Sequence, residues 1–329
     1  MRLKELIRGL SLKSKDEKKL LLAAIFIFVL FLSFIIWQFF DLYFNKTTKN
    51  FIANSPKAVR EESCPDCVRR KLDGVYVEAS KDNLFPVAVI IENLVEARPQ
   101  SGLSRASLVF EAEAEGYITR FLAIFADVGD VKEIGPVRSA RPYFIDWSSE
   151  LAALFVHVGG SPEALAKIYK ENILDLNEFY QGEFFWRDKI KEPPHNVFIS
   201  GENIKEYLDS KGMDEGNFFG WKFKDDAPSE QRPPEGEITV NFLLPEHIVK
   251  WKHNKDANDY LRYTGGDIHK DREGREIKAK NVIIEYVKAE VIDELLRLRM
   301  EHIGEGKVII CLDGNIPSRK IRIKYITHL

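Results

Sequence analysis

The sequence predicts an α+β protein: a layered mixed α/β sandwich domain, then a smaller mostly-β domain, behind one N-terminal transmembrane helix. Three observations carry this expectation. Residues 20–37, LLLAAIFIFVLFLSFIIW, are uncharged and nearly all apolar. Between residues 85 and 212, short apolar runs of strand length alternate with capped amphipathic segments of helix length. After a stretch rich in Pro, Glu and Asp, the chain offers strand-like runs separated by glycine turns. A length of 329 residues accommodates about two domains.

The first element is the apolar run. As a helix it would be about 27 Å long, close to the thickness of a bilayer's hydrocarbon core. Residues 1–19, MRLKELIRGLSLKSKDEKK, are rich in Lys and Arg. The positive-inside rule therefore makes them a cytoplasmic tail, with residues 20–40 a single-pass signal anchor and the main domains extracytoplasmic at the cell membrane. A cleaved secretory signal is the other reading; the bulky QFFDLYF that follows, in place of small residues, argues against it. No cysteine ends the apolar segment, so no lipid-attachment site is expected there. Residues 41–71 read as a polar stalk containing CPDC. Cys64 and Cys67 could form a tight disulfide, a redox pair or half a zinc site, and no nearby histidine completes a zinc site. No metal or cofactor is expected.

The folded part begins at residue 72, and the first domain spans residues 72–223. FPVAVIIEN (85–93) suits a buried strand, and SLVFEAEAEGYITRFLAIFAD (107–127) suits two strands around a Gly116 turn. Side chains alternate along a strand, so Glu111, Glu113 and Glu115 share one face, expected to be solvated or salt-bridged. ELAALFVHV (150–158) reads as another strand. SPEALAKIYKENI (161–173) is a helix with Ser161 as N-cap and Pro162 at its first position, and GENIKEYLDSKG (201–212) is a helix closed by Gly212. Residues 224–237 form a linker. Residues 238–329 form the second domain, with strands expected at ITVNFLL, DYLRYTGG, KNVIIEYV and KVIICLDG.

A set of polar residues punctuates the first domain: Arg98 and Gln100 in a loop after a strand, and Arg120 inside an apolar strand. Arg138 and Arg141 follow behind the Gly135-Pro136 corner, His157 lies in VHVGGSP, Arg187 in FWRD, and His195 and Asn196 in PPHNVF. Arginine stays charged and offers a planar fork of donors to phosphate or carboxylate, and a buried arginine needs a partner. These nine residues are therefore the candidate ligand-binding set. The competing view is that neighbouring acids neutralise each fork in a structural network. The formal net charge of −3 supplies no general basic field, so nucleic acid is not an expected partner. No GxSxG elbow, P-loop, HExxH or dinucleotide fingerprint is present, and catalytic residues are unassigned.

At these residues the chain resembles the YerB-like family of bacterial cell-surface proteins, lipoproteins of uncharacterised function among them. The matching stretches are LDGV, PVAVIIEN, ARPQSGLSRA, EGYITRFLAIF, IGPVRSARPYFID, FVHVGGSPEA, FWRD and PHNVF, and YLRYTGGDIHKDREGREIKAKNVII resembles the family's second domain. The resemblance implies a layered α+β first domain and a mostly-β second one, and it brings no activity with it. Three departures stand out: an apolar helix in place of a lipidated cysteine, Tyr117 where a second glycine is usual, and an end that looks truncated. The expected function is a membrane-anchored protein that binds an anionic envelope polymer or precursor. Alternatives are a phosphate-transfer enzyme, by a loose similarity to LytR-CpsA-Psr glycopolymer transferases, and a structural interaction protein of the envelope.

Overall fold

The computed structural model describes residues 16, 20–21, 23–36, 38, 66–315 and 320–324. The chain divides into two compact units, Met1–Lys57 and Ala58–Leu329. In the first, residues 23–36 are helical with their side chains exposed. Among the described residues no helix is long and apolar enough to cross a membrane. Residues 23–36 alone amount to about 21 Å of helix, short of the roughly 30 Å hydrocarbon core. The expected anchor also includes residues 22, 37, 39 and 40, and the expected cytoplasmic tail, most of the stalk and the C-terminal end likewise lie largely outside the described residues.

In the second unit, strands β1 (Val87–Glu92), β2 (Leu108–Glu113), β3 (Thr119–Phe125), β4 (Leu154–His157) and β5 (Asp175–Asn177) form one sheet in the order β2-β3-β1-β4-β5. Strands β1, β4 and β5 run parallel, while β3 is antiparallel to both β1 and β2. Every residue of β1 is buried, because the sheet is covered on both faces. Val87, Val89 and Ile91 point to one core, with Phe121, Ala123 and Phe125. Ala88 and Ile90 point to the other, with Leu122 and Ile124. Helices α1 (Pro142–Ser149) and α2 (Pro162–Glu171) close this second core through Tyr143, Phe144, Trp147, Ala164 and Ile168. Helix α3 (Gly201–Lys211) closes the first through Ile204, Tyr207 and Leu208. Each large apolar side chain buried this way contributes about 1.5–3 kcal/mol.

Local signals set the helix ends. The Ser161 hydroxyl accepts from the Ala164 amide at 3.3 Å, and the Ser200 hydroxyl accepts from the Asn203 amide at 3.0 Å. Gly212 ends α3 in the left-handed region. A short ribbon of β6 (Phe185–Arg187) with β7 (Val197–Ile199) carries the loop 188–196 between its strands.

The β-rich part follows. β8 (Glu237–Asn241), β9 (Ile248–Asn254), β10 (Asp259–Thr264) and β11 (Asp267–Ile268) pair in sequence, β12 (Lys278–Ala279) joins β10, and Lys320–Lys324 lies parallel to β8. Ile238, Val249, Tyr260, Val282, Ile284 and Cys311 fill its core. Two residues of this part serve the first sheet: Ile277 lies in the core of one face and Met300 in that of the other. Cys67 is disulfide-bonded, so it presents no thiolate for a metal, and Cys311 is free and buried, its thiol pushed up to about 11 by that burial.

The glutamate face departs from expectation. Glu111 pairs with Arg262 and Glu115 with Arg120 and Arg141, but Glu113 is wholly buried. Among the described residues neither of its carboxylate oxygens has a hydrogen-bond partner of good geometry. Arg262 and the Leu243 backbone, both from the β-rich part, reach this face of β2, which no period-2 pattern reveals. After the strand, Gly116 (φ 59°) and Tyr117 (φ 64°) both turn through the left-handed region, which explains why glycine suits both positions.

Candidate functional site

The carboxyl ends of the three parallel strands lie on one edge of the sheet: Glu92 ends β1, His157 ends β4 and Asn177 ends β5. Antiparallel β3 brings Thr119 and Arg120 to the same edge. Loops gather there, as in other open sheets with parallel strands. The GPVRSAR segment is tied into this edge. The Glu92 amide donates to the Pro136 carbonyl (2.9 Å) and the Arg138 amide to the Ile90 carbonyl (3.0 Å). On its other flank the Val137 amide donates to the Val197 carbonyl (2.7 Å). Further along, the Val158 amide donates to the Arg138 carbonyl and the Ala140 amide to the Gly159 carbonyl, each at 3.0 Å. Gly135 is required at the corner, because a Cβ there would sit 2.8 Å from the Phe198 ring and 2.9 Å from the Val197 carbonyl oxygen.

This backbone brings four basic side chains around two carboxylates. Arg138 forms an ion pair with Glu92, and His195 Nδ1 stands 3.5 Å from the same carboxylate. Arg120 meets Glu115 at 2.7 Å and donates to the Ser139 carbonyl at 3.0 Å. Arg141 donates to the other Glu115 oxygen through Nε (3.1 Å) and Nη2 (2.5 Å), and to the Ala140 carbonyl through Nη1 (2.6 Å). Burial alone would raise the Glu92 pKa, but the His195 ring and the charges of Arg120 and Arg138 overcome it and hold the carboxyl at about 2. Burial likewise opposes ionisation of Glu115, and Arg120 and Arg141 bring it below its ordinary range. The charges of Glu115 and Glu92 outweigh the burial of Arg120 and raise its pKa. Three guanidinium groups thus share the two carboxylates that hold them.

The other sequence candidates lie elsewhere. Arg98 turns to the second sheet: it donates to the Glu246 carbonyl (2.9 Å) and the Asn93 carbonyl (3.0 Å), and lies 3.3 Å from His247 Nδ1. Gln100 is buried, donating to the Glu92 carbonyl (3.1 Å) and Asn93 Oδ1 (2.8 Å), with its own oxygen 2.8 Å from His269 Nε2. His157 is buried between the Gly159 carbonyl (2.7 Å) and the Asp175 carboxylate (3.0 Å). Arg187 and Asn196 pair with each other at 3.2 Å at the base of the 188–196 loop, and Arg187 also meets Glu178 at 2.8 Å. The nine candidates therefore do not form one cleft. Arg120, Arg138, Arg141 and His195 converge, Gln100 adjoins them through Glu92, and Arg98, His157, Arg187 and Asn196 bind neighbours of their own.

Family models match almost all of this folded part. Residues 72–214 match the N-terminal domain, and residues 238–319 the C-terminal domain, of DUF3048, both described as protein of unknown function. The Bacillus subtilis (strain 168) protein named "Putative lipoprotein YerB" is 34% identical over 267 residues, spanning 78% of this chain and 80% of its own. This chain belongs to the YerB-like family. The crystal structure of YerB from Bacillus subtilis superimposes with a TM-score of 0.67 at 33% identity, covering 76% of this chain and 85% of that one.

The YerB-like stretches take on a physical meaning in this geometry. ARPQSGLSRA and YLRYTGGDIHKDREG, far apart in sequence, are the two sides of one contact. Arg262 is buried between Glu111 (2.7 Å) and His269, with Phe121 and Trp251 rings within cation–π range. His269 reaches Gln100, Ser104 bonds Asp271, and the Arg272 amide donates to the Gln100 carbonyl at 2.7 Å. Burial, together with the charges of Arg262 and Arg98, lowers the His269 pKa to about 2, so the ring is neutral there. Glu92, Glu111, His247, Arg262 and His269 are not among the nine residues of the candidate set. One signal for Arg262 is present: it shares a strand face with buried Tyr260 and Thr264, where a charge needs a partner.

Proposed function

We propose that this YerB-like chain is a membrane-anchored, extracytoplasmic binding module for an anionic cell-envelope ligand, with Arg120, Arg138, Arg141 and His195 as its receptor groups. The observation that carries this reading is the charge count at the carboxyl edge. Glu92 and Glu115 answer only two of the three guanidinium charges, before His195 is considered. The cluster also keeps access to water, with Arg138 and Glu115 side chains 20% and 28% exposed. A phosphate or carboxylate supplies the missing charge and two oxygens for the bidentate contact that guanidinium groups favour. The exposed apolar helix at residues 23–36 supports anchoring, since a helix apolar on all sides needs an apolar surround.

The test uses the full chain in detergent, with inorganic phosphate and pyrophosphate titrated calorimetrically and by thermal shift. Arg138→Gln is expected to abolish the ligand-induced shift. It also leaves Glu92 less well paired, so the double variant Arg138→Gln/Glu92→Gln is expected to regain stability without regaining binding. Undiminished binding in Arg138→Gln, or recovery of binding in the double variant, would remove the proposed site. The acid beside each of Arg120, Arg138, Arg141 and Arg187 favours a second reading, a purely structural network, and absence of binding in the wild type is its expected outcome. A phosphate-transfer enzyme would use the same guanidinium groups and would consume a pyrophosphate-bearing substrate instead of only binding it.

A further inference from the structure

Beside the cationic cluster, the turn after β5 displays two aromatic rings to solvent: Phe179 is 66% exposed and Tyr180 77% exposed. Two exposed rings adjacent in the chain offer an apolar patch that a ligand can cover. The turn is tightly held. Asn177 Oδ1 accepts from the amides of Gly159 (3.0 Å) and Phe179 (3.2 Å), and the Asn177 carbonyl accepts from the amides of Tyr180 and Gln181, each at 2.9 Å. The Gly159 backbone forms the seat for one ring, since a Cβ there would lie 2.7 Å from Phe179 Cε2. One side of the Phe179 ring is thus fixed on the protein while the rest faces outward.

The turn and the cluster are linked through two segments of the chain. The 188–196 loop joins them: where it begins, Arg187 meets Glu178 at 2.8 Å, and where it ends, His195 approaches Glu92 while the Pro194 carbonyl accepts from Arg138 at 3.3 Å. On the other flank Gly159, under Phe179, is bonded to Ala140 of the arginine segment. We infer that the ligand is a phosphorylated saccharide, its phosphate on the Arg138–His195 cluster and a sugar ring stacked on Phe179 and Tyr180. This inference rests on the anion-binding reading above and adds the ligand class. A pyranose ring offers apolar C–H faces to aromatic rings and hydroxyls to flanking polar groups. Glu178, next to Phe179 in the chain, and Arg187, paired with it, suit those hydroxyls, whereas an aliphatic or apolar peptide partner would bury them at a cost. The adjoining surplus positive charge selects for the anionic form.

The experiment compares glucose 1-phosphate, inorganic phosphate and free glucose on the full chain by calorimetry, in a detergent with neither sugar nor phosphate headgroups. Glucose 1-phosphate is expected to bind about tenfold tighter than inorganic phosphate, the gain expected of two stacking contacts. The Phe179→Ala/Tyr180→Ala variant is expected to bring that ratio to about one while leaving phosphate affinity unchanged, because both side chains are exposed and neither takes part in the ion pairs of the cluster. Equal affinities in the wild type, or a preference that survives the double variant, would overturn the saccharide assignment and leave the anion site standing. Glucose binding without phosphate binding would overturn the anionic requirement. Silence of all three ligands would overturn both.

Discussion

Glu113 is a carboxyl buried on the strand face that it shares with Glu111 and Glu115. Burial pushes its carboxyl up to about 7 from an ordinary 4.5, against a small opposing effect of the Leu243 backbone amide. The folded state therefore holds a proton that the unfolded chain releases between pH 4.5 and 7. Stability from this group is full below pH 4.5 and is lost as pH rises through about 7, by about 3 kcal/mol in all. Glu92 and Glu115 act with the opposite sign: their lowered pKa values contribute stability above the ordinary carboxylate range that is lost as pH falls. The difference between wild type and Glu113→Gln isolates the first effect. Urea unfolding from pH 4 to 8 is expected to show the wild type losing stability relative to Glu113→Gln across that window. A constant difference would show that the carboxyl ionises as freely in the folded protein as in the unfolded one.

At the scale of elements, backbone approach decides more than side-chain type. Helix α3 begins at Gly201, whose amide donates to the Val131 carbonyl at 2.7 Å. A Cβ at that position would fall 1.7 Å from the Val128 carbonyl oxygen, a backbone atom that cannot swing aside. Gly201→Ala is therefore expected to destabilise by about 3 kcal/mol or more, by forcing α3 off the sheet. Gly182 is the control, because a methyl group there would meet nothing within 4 Å, and Gly182→Ala is expected to change stability by no more than about 0.5 kcal/mol. Thermal melts of the two variants check the contrast. The same crowding explains why the arginine segment needs the Gly135 corner: its strand-like run fits between β1 and β7 with no room for a side chain at its start.

The molecule from residue 58 onward behaves as one body because its two sheets share contacts that neither part can replace. Ile277 and Met300 complete the two cores of the first sheet, and Arg262 brings a buried charge to Glu111 of β2. Calorimetry is expected to show this folded part melting in a single transition, and Arg262→Met to lower its stability by about 3–5 kcal/mol, because Glu111 then lacks its cationic partner. The double variant Arg262→Met/Glu111→Gln is expected to recover much of that loss. Two separate transitions in the wild type would show that the clamp between ARPQSGLSRA and YLRYTGGDIHKDREG carries little energy.

By itself, the sequence determined the features that depend on neighbours along the chain. The helix capped at Ser161, the helix closed by Gly212, the buried β1 run and the turn at Gly116 follow from period and local hydrogen bonding, and the family follows from its motifs. The tertiary structure decided which acid each arginine meets, and that could not be read from spacing. Glu115 lies five residues from Arg120 yet also holds Arg141, and Glu92 receives Arg138 and His195 from two different loops. The loop of Arg98 and Gln100 reads in sequence as part of a ligand site, and its grip on the second sheet could not be read there, because its partners Glu246, His247 and His269 arrive from more than a hundred residues away. Pairing of charges is a long-range outcome of how the sheet edges meet, whereas periodicity and caps are short-range, and only the short-range part is written in consecutive residues.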